Sequence, residues 1–144
     1  MTDVDALQTT LAAEHAAVWV YGLLGGRTSA SATPELYRSV SAAYAAHRGR
    51  RDQLVRILSE RGETPVASDP AYEVSAPVTG PDRARAVALE TEQACAATYA
   101  WLVANAVAGE RQWAIGALNE AAVRELAFRG TPEMFPGAGE YADR

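Results

Sequence analysis

The chain has a single cysteine among its 144 residues, Cys95, which excludes an internal disulfide and a thiolate metal cluster. It sits between alanines in a helical pattern and reads as a small apolar core thiol. Aromatic residues are scarce at 8%, and no apolar run approaches the ~20 residues needed to cross a bilayer. No basic tail is present, and a net charge of -5 with a pI near 5.0 gives nucleic acid or an anionic membrane nothing to bind. The opening Met1-Thr-Asp-Val-Asp5 lacks a basic flank and an apolar stretch, so the expected compartment is the cytoplasm. Missing too are a Gly-x-Ser-x-Gly elbow, a P-loop lysine and any Ser/His/Asp arrangement above chance.

What the chain does have is alanine, 49% apolar residues and few β-branched runs, a composition that favours helices. Its length suits one domain, expected to span 1–144. One stretch occurs twice. Leu11, Glu14, Tyr21 and Leu24 return at the same spacing as Leu89, Glu92, Tyr99 and Leu102. Seven residues turn a helix through roughly 700°, so each Glu and its Tyr lie on nearly one line. Each copy therefore sets a carboxylate in the middle of an apolar stripe, and a buried charge is costly without a partner.

Helix 1 is expected over about 3–25, with Thr2 as N-cap, and Gly25-Gly26 as its stop. Helix 2 is expected over about 34–62, opened by Thr33-Pro34 and closed by Gly62, with Leu36, Val40, Tyr44 or Ala43, His47, Leu54 and Leu58 on its stripe. Gly49 inside it costs about 1 kcal/mol against Ala and suggests a close helix approach. The Pro-rich segment that follows spans about 60 Å when extended, against ~42 Å for a 28-residue helix. It can run back along the bundle and make helices 2 and 3 parallel; the alternative is a disordered linker. Helix 3 is expected over about 81–108 and helix 4 over about 110–129, broken at Gly109. The tail, 130–144, has no period, and Met134, Phe135 and Tyr141 are expected to dock on the bundle or on a second chain. The fold class is thus all-α, a four-helix bundle with one long crossover between helices 2 and 3.

Counting residues from the helix ends places Glu14, His47, Glu92 and Glu125 within one or two turns of one level. The pattern Leu-x-x-Glu14-His-Ala-Ala-Val-x-x-Tyr21-Gly, the Ala-His47-Arg-x-Arg-Arg51-Asp helix, Leu89-x-x-Glu92 with Tyr99, and Arg124-x-x-x-Phe128-Arg-Gly together resemble the ferritin-like superfamily. More narrowly they resemble an uncharacterised actinobacterial branch, a domain-of-unknown-function family. Metal-bearing members of the superfamily take one Glu from each of two helices and a Glu-x-x-His from each of the others. The resemblance matches Glu14 and Glu92 to that set. Helix 2 reads Tyr44-x-x-His47, and helix 4 reads Glu125-x-x-Phe128 or Ala122-x-x-Glu125, so at least two ligands are gone.

Two readings follow. In the first, no cofactor is bound and the centre is a salt-bridge layer, with Arg51 and Arg124 neutralising the carboxylates and Tyr21, Tyr44 and Tyr99 bonding to them. In the second, Glu14, His47, Glu92 and Glu125 hold one Fe, Mn or Zn ion in a small oxidoreductase or metal carrier. His15, one position off the stripe, is expected to be peripheral. Trp101, Trp19 and Trp113 lie roughly 180°, 140° and 120° from the Glu lines, which suggests a homodimer interface, with packing under the crossover as the competing account. The first reading makes the protein a non-catalytic binding or structural module.

Overall fold

The computed structural model describes residues 2–132 and 134–137. Four helices follow in order: α1 (Asp3–Arg27), α2 (Pro34–Glu60), α3 (Pro81–Asn105) and α4 (Ala108–Arg129). No strand occurs among the described residues, and none of their helices is long and apolar enough to cross a membrane.

The ends of the helices follow from local chemistry. Thr2 closes a capping box on α1: its hydroxyl accepts the Asp5 N–H at 3.1 Å, and the Asp5 carboxylate accepts the Thr2 N–H at 2.9 Å. Gly25-Gly26 does not stop α1, which runs on to Arg27 and turns extended at Thr28. Gly62, at φ +78°, ends α2 as expected: the Glu63 N–H reaches back to the Leu58 carbonyl at 3.0 Å and the Gly62 N–H to the Ser59 carbonyl. The α3–α4 break falls at Ala106 and Val107, both extended, rather than at Gly109, which lies in the first turn of α4. A buried Ala106 pins that corner while Val107 faces solvent.

Contacts fix the directions. Glu14 meets His47, and Asp3 pairs with Arg61, so α1 and α2 are antiparallel. Tyr21 reaches Glu92 and Tyr99 reaches Glu14, so α1 and α3 are antiparallel as well. His47 to Glu92 and Arg50 to Tyr99 then make α2 and α3 parallel. The crossover achieves this by climbing the outside of α1. Gln8 brackets Thr64 and Val66 with two 2.8 Å hydrogen bonds, His15 meets the Val66 carbonyl at 3.0 Å, and Trp19 packs on Tyr72 with centroids 6.2 Å apart. Val74 and Val78 finish the climb against the core. His15 is thus a peripheral anchor for this segment.

The apolar core divides in two. Tyr21, Leu24, Leu36, Val40, Tyr99 and Phe128 belong to one cluster, and Leu7, Leu11, Leu54, Leu58 and Leu102 to the other. Glu14 sits between the two on α1, as His47 does on α2. The helices pack strongly as α2–α1–α3–α4, while α2 and α4 barely touch.

Three expectations about the surface change. None of the tryptophans is exposed: Trp19 lies under the crossover, Trp101 packs on the second cluster, and Trp113 meets Tyr99 edge-on at 6.1 Å and donates to Gln53 at 2.7 Å. Indole rings roughly opposite the Glu line are covered because the crossover and neighbouring helices reach around to them. Met134 and Phe135 are 84% and 69% exposed and do not dock on the bundle, whereas Gly137 presses so close to α3 that a Cβ would lie 2.7 Å from the Ala96 carbonyl. Tyr141 lies outside the described residues. Gly49 marks no close approach, because a Cβ there would meet nothing within 4 Å. Gly49→Ala is therefore expected to stabilise the fold by about 0.5–1 kcal/mol in urea unfolding, by removing a helical glycine without a clash. Destabilisation would show that the α2–α4 face is closed.

Candidate functional site

On α1 the stripe Leu7, Leu11, Glu14, Ala17, Tyr21 and Leu24 is buried, so Glu14 enters the core because its neighbours must. On α2 the buried series is Leu36, Val40, Ala43, His47, Arg50, Leu54 and Leu58. The spacing alternates four and three as far as Leu54 and then takes a further step of four, which selects Arg50, not Arg51. On α3, Glu92, Ala96 and Tyr99 share one face.

These helices bring together a layer of polar groups with no solvent access. His47 Nδ1 lies 2.6 Å from Glu14 Oε2, and its Nε2 lies 2.9 Å from Glu92 Oε1. All three residues are fully buried. A carboxylate can only accept, so both ring nitrogens donate and the ring is an imidazolium. Burial works against that charge, yet the bonds to Glu14 and Glu92 outweigh it and raise the His47 pKa above its ordinary 6.5. Burial likewise opposes the charge of Glu92, but His47, Arg124 and Tyr21 together hold its pKa below 4.5.

Two tyrosines complete the carboxylates. The Tyr21 hydroxyl donates to Glu92 Oε1 at 2.7 Å, and the Tyr99 hydroxyl donates to Glu14 Oε1. Burial first, then Glu92 for Tyr21 and Cys95 followed by Glu14 for Tyr99, keeps both phenols protonated well above pH 10.0. Tyr21 also stacks on His47, with centroids 5.3 Å apart. Arg50 donates from Nη1 to the Tyr99 oxygen at 3.2 Å and from Nη2 to Glu120. Nε of Arg124 stands 3.0 Å from Glu92 Oε2, an ion pair by distance whose angles miss hydrogen-bond alignment. The Cys95 thiol joins Glu14 and His47 within 4.8 Å, but burial and the nearby carboxylates raise its pKa well above 9.0.

Several positions differ from the sequence expectation. Arg51 lies outside the layer, pairing with its neighbour Asp52 at 2.7 Å and lining a groove with His15, Trp19 and Tyr72. Tyr44 is only half-buried, with the Arg48 guanidinium over its ring and Gly22 against its edge; Ala43 takes the core position. Glu125 is buried, but it faces Arg129 at 2.7 Å rather than His47. The reason is a slip between the halves. α1 and α3 begin at Asp3 and Pro81, 78 residues apart, whereas α2 and α4 begin at Pro34 and Ala108, 74 apart. The shorter second hairpin loop moves every α4 residue four places, so His47 matches Ala121, and Arg50 matches Arg124. Sequence reasoning missed Arg50, although the alternating spacing through Leu54 points to it.

A two-metal centre does not fit these side chains. Its two carboxylate-imidazole pairs are absent, and the Arg124 guanidinium stands beside Glu92, one of the carboxylates that would bridge the ions. What the arrangement does is hold charge in balance. Linkage gives the pH dependence. His47, raised in the fold, contributes stability that is full below pH 6.5 and is lost as pH rises through its folded pKa. Glu92, lowered in the fold, contributes stability that is full above pH 4.5 and is lost as pH falls through its folded pKa. Chemical unfolding should therefore show greatest stability between those values. His47→Gln should cost about 3–5 kcal/mol by leaving two buried carboxylates short of a cation, and should abolish the alkaline loss. A cost under about 1 kcal/mol would mean that the layer is not ionic.

The sequence profile of a domain family described as "Domain of unknown function (DUF4439)" matches residues 6–140. Among solved structures, a conserved hypothetical protein from Mycobacterium tuberculosis is similar, at 29% identity and a TM-score of 0.82, over 93% of this chain and 96% of that one. No curated protein matches the sequence. With nearly the whole chain inside the family profile and a like-sized neighbour sharing the fold, the chain belongs to the family of the domain of unknown function DUF4439.

Proposed function

We propose that this protein is a non-catalytic ferritin-like bundle, a homodimeric binding or structural module with no resident cofactor. In it the metal centre of the superfamily is replaced by an ion-pair layer. The observation that carries the reading is His47, whose two ring nitrogens are both engaged by buried carboxylates. An imidazolium has no lone pair to give a metal ion. Two hairpins joined by a long crossover, with Glu14 and Glu92 facing each other across the middle, support the ferritin-like kinship.

With Trp19, Trp101 and Trp113 covered, the contact surface passes to the outer face of α4. Ile115 and Leu126 lie eleven residues apart, nearly in line along the helix, and Val123 is 67% exposed beside them. This apolar face is where a second copy would pack.

The rival reading is a protein that binds one Fe, Mn or Zn ion in a carrier or oxidoreductase role. It is favoured by the closeness of Glu14, His47 and Cys95, with Glu92 on the other side of the ring. Elemental analysis of protein purified without chelator separates the two. The ion-pair reading expects less than about 0.1 metal per chain, before and after incubation with Fe, Mn or Zn in excess. Stoichiometric metal that disappears in His47→Ala would overturn it. On the same preparation, sedimentation equilibrium should give twice the chain mass, falling to one chain mass in Val123→Glu/Leu126→Glu. A wild-type monomer at all concentrations would refute the dimer alone.

A further inference from the structure

Between α2 and α4, where the bundle is open, lies a groove of about 410 Å³. Its walls are small, Ala46 and Gly49 on α2 against Gly116 and Ala117 on α4, and Gln53 and Trp113 contribute polar groups. A cavity of this size suits a small molecule. Arg50 and Glu120 line it as well, and they set the chemistry.

The groups that meet around His47 are not neutral without a contribution from the surface. Glu14 and Glu92 carry two negative charges, while buried His47 and Arg50 and the partly exposed Arg124 carry three positive; buried Glu125 is matched by Arg129. The balancing carboxylate is Glu120, whose side chain is 66% exposed. Its Oε2 receives Nη2 of Arg50 and stands 4.0 Å from Nη1 of Arg124. Two guanidinium groups at matching positions of the two halves thus converge on one oxygen at the mouth of the groove. Arg50 is almost fully buried, and Nη2 of Arg124 is buried with no hydrogen-bond partner among the described residues. Donor capacity is left over on the guanidinium that stands beside Glu120, the exposed carboxylate that closes the charge.

We infer that the α2–α4 groove binds a small organic carboxylate, which takes the place of the Glu120 side chain on Arg50 and Arg124. Glu120 is then a tethered stand-in that keeps the layer neutral when the groove is empty. The planar fork of Arg50 suits a carboxylate, and the short walls at Gly49 and Gly116 leave room for a body of a few carbon atoms behind it. The inference deepens the binding-module reading and rests on the layer being ionic.

Butyrate is the probe, titrated at constant ionic strength while the Trp113 indole N–H resonance is followed by NMR. Glu120→Gln removes the internal competitor from an exposed site and is expected to bind butyrate about tenfold more tightly than the native chain. A Cβ at Gly49 would meet nothing within 4 Å, so Gly49→Leu in that background projects its side chain into the groove and should abolish the response while the fold persists. An unresponsive Glu120→Gln protein that is folded and metal-free would overturn the groove proposal alone. So would a stronger response to inorganic phosphate than to butyrate, or an equal response in the Gly49→Leu variant. Metal at the centre would overturn this proposal and the ion-pair reading together.

Discussion

A charge in the interior of a small protein must be matched within a few ångströms, because the medium around it repays so little of the lost hydration. Here that constraint acts on His47. One imidazolium spans two carboxylates from different helices, so α1, α2 and α3 cannot slide past one another without stranding an ion. Leucine and alanine contacts tolerate a shift of one turn; the Glu14–His47–Glu92 bridge does not. The layer therefore sets the helix register, while the two apolar clusters on either side supply most of the burial.

The rest of the architecture accommodates that bridge. α1 and α3 form the spine because each carries one of the carboxylates and one of the tyrosines that cap them. α2 brings the imidazole, and α4 brings Arg124 and Glu120, which complete the balance from outside. All 13 basic residues of the chain are arginine. A guanidinium can serve two acceptors at once, as Arg50 serves Tyr99 and Glu120. The crossover is held to α1 by Gln8, His15 and Trp19, which accounts for polar and aromatic residues on the outer side of that helix.

The helices, their directions and the buried acids were legible in the sequence because they follow from local periodicity and from the repeat of α1 in α3. Glu14 and Glu92 stand on apolar stripes whose direction no other residue disputes. The choice between Arg50 and Arg51 was harder. Both lie within one turn of His47, and only the stripe continued through Leu54 and Leu58 separates them. Glu125 was misplaced because a uniform repeat was carried from the first helix of each hairpin to the second. The hairpin loops differ in length, and a four-residue slip is invisible to a pattern that itself recurs every three or four residues. The partial cover over the tryptophans was not legible for a related reason. Angular position on a helix tells which way a side chain leaves the axis, not what lies beyond it, and a docked crossover can bury a face that a bare bundle would expose.

The account stands on the protonation of a single ring. Nitrogen-15 NMR of the His47 imidazole in native, metal-free protein tests it most directly. Two protonated ring nitrogens at neutral pH, both coupled to slowly exchanging protons, are the expected result. A ring with one bare nitrogen, whether a neutral tautomer or one whose signal shifts on adding metal, would contradict it.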